Sequence, residues 1–119
     1  MAFDFEKLEV WNRSVSYTSE IFKMTKTFPQ EEMYGLSSQM RKSASSIPLN
    51  IAEGSGRYNT KEFVRFLRIA RGSLYETVTN LRICQLQGFI SEDKFNELYE
   101  EGNLICRMLN GLCNSLAKE

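Results

Sequence analysis

The chain has 119 residues, with 15 Lys and Arg against 15 Asp and Glu, for a formal net charge of zero. Hydrophobic residues at 42% and charged residues at 25% are ordinary for a globular protein, and the length supports one domain with its own core and no staple. Two prolines and seven glycines are too few for the many turns of a sandwich or barrel, and the absence of histidine removes the commonest general base, metal ligand and pH switch.

Cys84, Cys106 and Cys113 are an odd number with no CxxC pair, so they read as small buried hydrophobes in a reducing compartment. Without histidine, a zinc site built on them lacks a fourth thiolate or imidazole. Met1 to Val10 carries Asp4, Glu6 and Glu9, which does not fit a signal peptide. No stretch approaches the ~18 apolar residues of a membrane span. The expectation is one cytoplasmic domain over residues 1–119, with no cofactor, no metal and no membrane partner.

Taken in chain order, the periodicity is helical throughout. Leu8, Trp11, Val15, Thr18, Phe22 and Thr25 form one stripe, and Tyr17, Ile21, Met24 and Phe28 form a second. Together they span an arc of about 200°, more than one neighbour covers. The Phe28-Pro29 step ends this helix. The next pattern uses Met33, Leu36, Met40, Ala44, Ile47 and Ile51, with Pro48 inside it. A proline there loses one intrahelical bond, which predicts a kink near Ala44–Ser45 within a single helix. Gly54-Ser55-Gly56 is its stop signal.

Asn59 followed by Glu62 reads as a capping box that opens a third helix, from about Thr60 to Gln87, stopped by Gly88. Ser91, with Glu92 and Asp93 in the first turn, caps a fourth. Its stripe is Phe95, Leu98, Ile105, Leu109, Leu112 and Leu116, with Gly102 on the same face allowing close approach. Four helices joined by connections of about three to six residues predict an all-α, antiparallel up-down-up-down four-helix bundle.

Zero net charge hides an uneven distribution. Residues 1–32 hold four cations and six carboxylates, residues 33–88 eight and three, and residues 89–119 three and six, for net charges of −2, +5 and −3. On the third helix Phe63, Phe66, Leu67, Ala70, Leu74, Val78 and Leu81 fill an arc of about 120°. Lys61, Arg65, Arg68, Arg71 and Arg82 fill the opposite arc, with Arg57 just before the helix. Repeated arginines on one face suit a phosphate backbone, because a bidentate guanidinium matches phosphate geometry. The other reading pairs them with acids across a subunit interface, and Glu97, Glu100 and Glu101 of the fourth helix supply such acids.

Other constellations point to less. Gly54-Ser55-Gly56-Arg57 is a candidate anion nest but lacks the Lys-Ser/Thr of a P-loop. Asn50 and Glu53, one turn apart near apolar stripes that also carry Ser45 and Ser46, suggest a hydrogen-bonded network fixing bundle register. The acids between Glu92 and Glu101 imitate a metal site, yet the helix dipole favours acids in a first turn, and a bundle di-iron site wants histidines. Neither a Ser–His nor a Cys–His dyad is available, and catalysis is not expected.

Three segments carry a family resemblance. They are Phe28-Pro29-Gln30-Glu31-Glu32-Met33-Tyr34-Gly35-Leu36 with Gln39-Met40-Arg41-Lys42-Ser43-Ala44, then Ser46-Ile47-Pro48-Leu49-Asn50-Ile51-Ala52-Glu53-Gly54, then Phe66-Leu67-Arg68-Ile69-Ala70-Arg71-Gly72-Ser73-Leu74-Tyr75-Glu76. They strongly resemble the bacterial four helix bundle protein family, whose founding members are encoded in intervening sequences of 23S ribosomal RNA genes. The resemblance extends from Leu8 and Trp11 into the last helix, and Met40 and Lys42 are mild departures from it. It implies a four-helix bundle. Through a relative, the accessory protein of diversity-generating retroelements, it also implies a homopentamer that binds nucleic acid and a protein partner, with the wide first-helix face between subunits. Arg41, Arg57, Arg65, Arg68 and Arg71 are the nucleic-acid contacts it favours, while Asn50, Glu53, Gly54, Arg71 and Glu76 fit structural roles equally.

The leading expectation is a non-enzymatic homo-oligomer that binds RNA or DNA backbone through the basic faces of helices two and three. Its contacts are Arg41, Lys42, Arg57, Lys61, Arg65, Arg68 and Arg71, beside a structural polar network of Asn50, Glu53 and Glu76. The alternative is a protein-interaction scaffold whose arginines form subunit-interface salt bridges.

Overall fold

The structure, a computed structural model, describes residues 3–118. A 3-10 turn at Asp4–Lys7 leads into α1 (Glu9–Thr25), and a second at Gln30–Glu32 leads into α2 (Leu36–Ser55). Then follow α3 (Thr60–Leu86) and α4 (Glu92–Ala117). Each helix packs on its sequence neighbours and α1 closes the ring on α4, so α1 and α3 lie on a diagonal. Contacts run antiparallel at every seam: Arg13 to Glu101 and Glu20 to Lys94, Thr18 to Ala44 and Thr25 to Arg41, Ser43 to Thr77 and Ser46 to Ser73, Arg82 to Phe95 and Leu74 to Gly102. This is the four-helix bundle expected from the periodicity.

Helices α3 and α4 open on side-chain caps, and α3 ends on a glycine. Asn59 accepts from the Glu62 amide at 2.7 Å and Ser91 from the Lys94 amide at 3.0 Å, each satisfying one orphan donor. The α3 stop is a Schellman arrangement: Gly88 takes φ +80°, while Phe89 N–H reaches Cys84 C=O at 2.9 Å and Gly88 N–H reaches Gln85 C=O at 3.1 Å. Helix two begins later than its apolar pattern. Met33 sits beyond the 3-10 turn and is exposed, because the backbone breaks at Gly35 (φ −107°, ψ −108°) before α2 starts.

Pro48 stays inside α2, and the bond it cannot make is met from outside. The Thr18 hydroxyl of α1 lies 3.0 Å from the Ala44 carbonyl, the group a residue-48 amide would otherwise occupy, and 2.7 Å from the Ser14 carbonyl. The one hydroxyl proton is shared between the Ser14 carbonyl of its own helix and the carbonyl that Pro48 leaves open.

Of the two apolar stripes of α1, the core takes the second, Tyr17, Ile21 and Met24, with Phe28 just beyond the helix. Val15 and Phe22 of the first stripe remain exposed, as does Leu49 on α2. Two glycines set helix spacing. A Cβ on Gly54 would lie 2.7 Å from Phe66 Cβ and 3.2 Å from the Phe63 carbonyl oxygen. A Cβ on Gly102 would lie 3.1 Å from Tyr17 Oη and 3.3 Å from Val78 Cγ2. Gly102 therefore has the close-approach role its position suggested.

Gly54→Ala is expected to destabilise the bundle by about 1–3 kcal/mol, since backbone as well as side chain must move; urea unfolding measures it. The buried Tyr17 hydroxyl has no hydrogen-bond partner among the described residues, and its burial raises its pKa above the ordinary 10. Burial likewise pushes the Cys84 thiol up to about 11. Both groups stay protonated in the folded chain where the unfolded chain loses its protons, so stability is full below about pH 9 and falls as pH rises. Tyr17→Phe is expected to gain about 1 kcal/mol by removing an unsatisfied hydroxyl. It should also flatten the alkaline decline, read from urea midpoints at neutral and alkaline pH.

Candidate nucleic-acid interface

The cations of α3 face outward because the opposite face is fully used. Val64, Phe66, Leu67, Ala70, Leu74, Leu81 and Cys84 are buried, together with the hydroxyls of Ser73 and Thr77, while Lys61, Arg65, Arg68, Arg71 and Arg82 are exposed. Their local partners differ. Arg65 donates from Nε to Glu62 at 3.0 Å, and this bond, with its charge, holds the Glu62 carboxyl below its ordinary range. Glu62 thus turns toward Arg65, while Asn59 caps the helix through its own side chain. Arg71 Nη2 donates to Tyr75 Oη at 2.7 Å and lies over the ring. Among the described residues, Lys61 and Arg68 have no ion-pair partner within 4 Å.

The remaining candidate cations are dispersed. Arg41 is half-buried against α1, donating to Thr25 Oγ1 at 2.9 Å and lying over Phe22. Arg57 pairs with Glu53 at 3.0 Å and rests on Phe66, which Arg65 also covers. Lys42 lines a polar hollow between α2 and α3 with Ser43, Ser46, Ser73 and Glu76. Arg82 is anchored over Phe95, 4.0 Å from the ring centroid. The structure therefore gathers Lys61, Arg65, Arg68 and Arg71 on one side, and sets Arg41 and Lys42 on others.

The facing part of α4 carries no acid. From Gly102 to Ala117 its only charged residue is Arg107. The α4 acids lie earlier, and two of them have partners: Glu101 takes Arg13 of α1 at 3.2 Å, and Glu97 takes Lys94 at 3.4 Å. The groove between α3 and the second half of α4 holds two adjoining hollows. One is lined by Lys61, Glu62, Arg65, Arg68, Ile69 and Ala117, the other by Arg68, Arg71, Asn110, Cys113 and Asn114.

The polar network lies across the α2–α3 seam. Ser46 Oγ meets Ser73 Oγ at 2.8 Å, Thr77 Oγ1 donates to Ser43 Oγ at 2.9 Å, and Asn50 Nδ2 donates to Ser46 Oγ at 2.9 Å. Glu53 is engaged with Arg57, and Glu76 lines the neighbouring hollow without joining the seam. The Gly54–Arg57 turn offers no anion nest, because the Gly56 and Arg57 amides are bonded to carbonyls of Ala52, Glu53 and Gly54. Among the described residues no group of three or more His, Cys, Asp or Glu side chains is placed to hold a metal ion, and no helix is long and apolar enough to cross a membrane.

The model of the 23S rRNA-intervening sequence protein family matches residues 6–111. The chain belongs to that family. The bundle is similar to the crystal structure of a protein with unknown function from the S23 ribosomal protein family of Bacteroides thetaiotaomicron. The TM-score is 0.82 at 22% identity, over 88% of this chain and 95% of that one, a likeness of fold. No curated protein matches the chain.

In this family member the basic side also contains Gly72. An added Cβ there would meet nothing within 4 Å, so no packing inside the chain requires a glycine in the middle of α3. Gly72→Ala is expected to raise stability by about 0.5–1 kcal/mol through helix propensity alone, measured by urea unfolding.

Proposed function

We propose that this intervening-sequence family protein binds the sugar–phosphate backbone of RNA or DNA along α3, without catalysis. The observation that supports it most is the run of four exposed cations, Lys61, Arg65, Arg68 and Arg71, facing the acid-free half of α4. Among the described residues, only Arg65 of the four is neutralised by a carboxylate of its own chain, and that pair is exposed. An exposed pair contributes about 0–1 kcal/mol, so a phosphate can displace it at small cost. Binding then proceeds by neutralising phosphates and releasing their counterions. Bidentate guanidinium contacts set the register of the strand on the helix.

The proposal includes self-association, as the homopentamer implied by the family resemblance. Val15 and Phe22 of α1 and Leu49 of α2 leave apolar surface exposed on elements other than α3, which suits a subunit interface that keeps the cations free. Copies brought together multiply the local positive field although each chain is neutral.

The test is a salt series against labelled RNA and DNA, with the mass of the protein followed by light scattering. The wild type is expected to show log affinity falling linearly with log salt. The double variant Arg65→Ala, Arg68→Ala should bind more weakly, with a slope shallower by about two phosphate contacts and an unchanged mass. If the same variant splits the oligomer and leaves no separate binding defect, the arginines belong to subunit interfaces and the scaffold reading replaces this one.

A further inference from the structure

Above the two basic hollows, the α3–α4 groove continues into a third of different character. It measures about 280 Å³ and lies between Tyr75 of α3 and Tyr99 of α4, with Val78 and Gly102 between them and Thr79 and Asn103 at its edge. No charged residue lines it. The two tyrosines are 53% and 46% exposed, a large apolar area for residues flanking one recess. Both rings are nonetheless held. The Arg71 guanidinium covers Tyr75 at 4.9 Å and bonds its hydroxyl, and Tyr99 packs on Phe95 with ring centroids 5.8 Å apart. The Thr79 hydroxyl donates to the Tyr75 carbonyl at 2.8 Å, which leaves its oxygen free to accept from a ligand.

We infer that this recess takes one unpaired nucleobase, so that the ligand of the groove is a single-stranded nucleic acid. The inference rests on the backbone-binding reading above and names its substrate class. Three features carry it. The recess is flanked by exposed aromatic rings, which stack on the faces of unpaired bases and have no such access inside a duplex. It is neutral, while the hollow beside it carries Arg68, Arg71, Asn110 and Asn114 and no carboxylate, a setting for the phosphate of the same strand. Arg71 joins the two, since its guanidinium reaches Tyr75 from a residue one turn away, about 6 Å along the helix axis. A strand with its phosphate on Arg68 and Arg71 therefore brings a neighbouring base to Tyr75 and Tyr99. The Asn103 amide and Thr79 oxygen are placed for a base edge, and neither demands a particular base.

Anisotropy titrations with four labelled probes test this: a mixed-sequence RNA strand, the DNA strand of the same sequence, an abasic strand of the same length, and the DNA duplex. The wild type is expected to bind the base-bearing single strands at least about fivefold more tightly than the abasic strand. Tyr75→Ala and Tyr99→Ala should erase that difference, with abasic binding unchanged in Tyr99→Ala, which leaves Arg71 seated on Tyr75, whereas Tyr75→Phe and Tyr99→Phe, which keep the rings, should preserve it. Arg68→Ala should weaken all four probes together. The tighter of the RNA and DNA strands identifies the sugar the groove favours.

Equal affinity of the wild type for abasic and base-bearing strands, or unchanged single-strand preference in Tyr99→Ala, overturns the base recess and leaves backbone binding standing. Failure of folded wild-type protein to bind any probe at low salt overturns both.

Discussion

Helices α2 and α3 approach each other at Gly54, where Phe66 and Phe63 of α3 occupy the space a side chain would need. That contact fixes how near the two helices lie at one end. Farther along, the seam is closed by hydroxyls, Ser46 on Ser73 and Thr77 on Ser43, side chains short enough to leave the backbones close and polar enough to bond each other. A buried hydroxyl that loses its partner costs about 1–3 kcal/mol, so the paired seam permits few relative rotations of α2 and α3. With Phe66, Leu67, Ala70 and Leu74 turned inward by that constraint, Lys61, Arg65, Arg68 and Arg71 have one direction left, outward beside α4.

Charge follows from the same geometry. Two of the α4 carboxylates are taken up before its midpoint, Glu101 by α1 and Glu97 within α4 itself. The rest of the helix, from Gly102, presents asparagines, cysteines and a single arginine. A neutral chain thereby keeps a basic groove. Exposed ion pairs of the Arg65–Glu62 kind contribute little to folding, and the bundle depends on its apolar core, so the groove cations are not needed for stability. Tyr75 and Tyr99 share this economy: each ring is held by a neighbour, Arg71 or Phe95, while leaving surface toward the groove.

Two irregularities show how the bundle handles polar groups it cannot hydrate. Pro48 leaves the Ala44 carbonyl without its helical donor, and Thr18 of α1 supplies one. The Tyr17 hydroxyl is left without a partner, where a ring is needed to fill the space opposite Gly102. The first is a local defect repaired by tertiary packing. The second is a packing gain that carries an unsatisfied donor with it.

Read alone, the sequence specifies the four helices, their stops at Gly54-Ser55-Gly56 and Gly88, the caps Asn59 and Ser91, and the close-approach role of Gly102. These rest on periodicity and on hydrogen bonds made within a few residues, and such signals are local. It also separated the buried and cationic arcs of α3, which a single helical wheel contains. Which residues from different helices share a surface depends on how the helices pack. Asn50 bonds Ser46 and the α2–α3 seam, while Glu53 turns to Arg57 one turn away. Arg41 faces α1, away from the α3 cations, because α2 rotates its Met40–Ala44–Ile47 stripe into the core. Tyr99 had no signal of its own in the sequence. Its place opposite Tyr75 depends on the register of α4 against α3, set by Gly102 on Val78 and Leu74, and register between distant segments is a property of packing that no local spacing encodes.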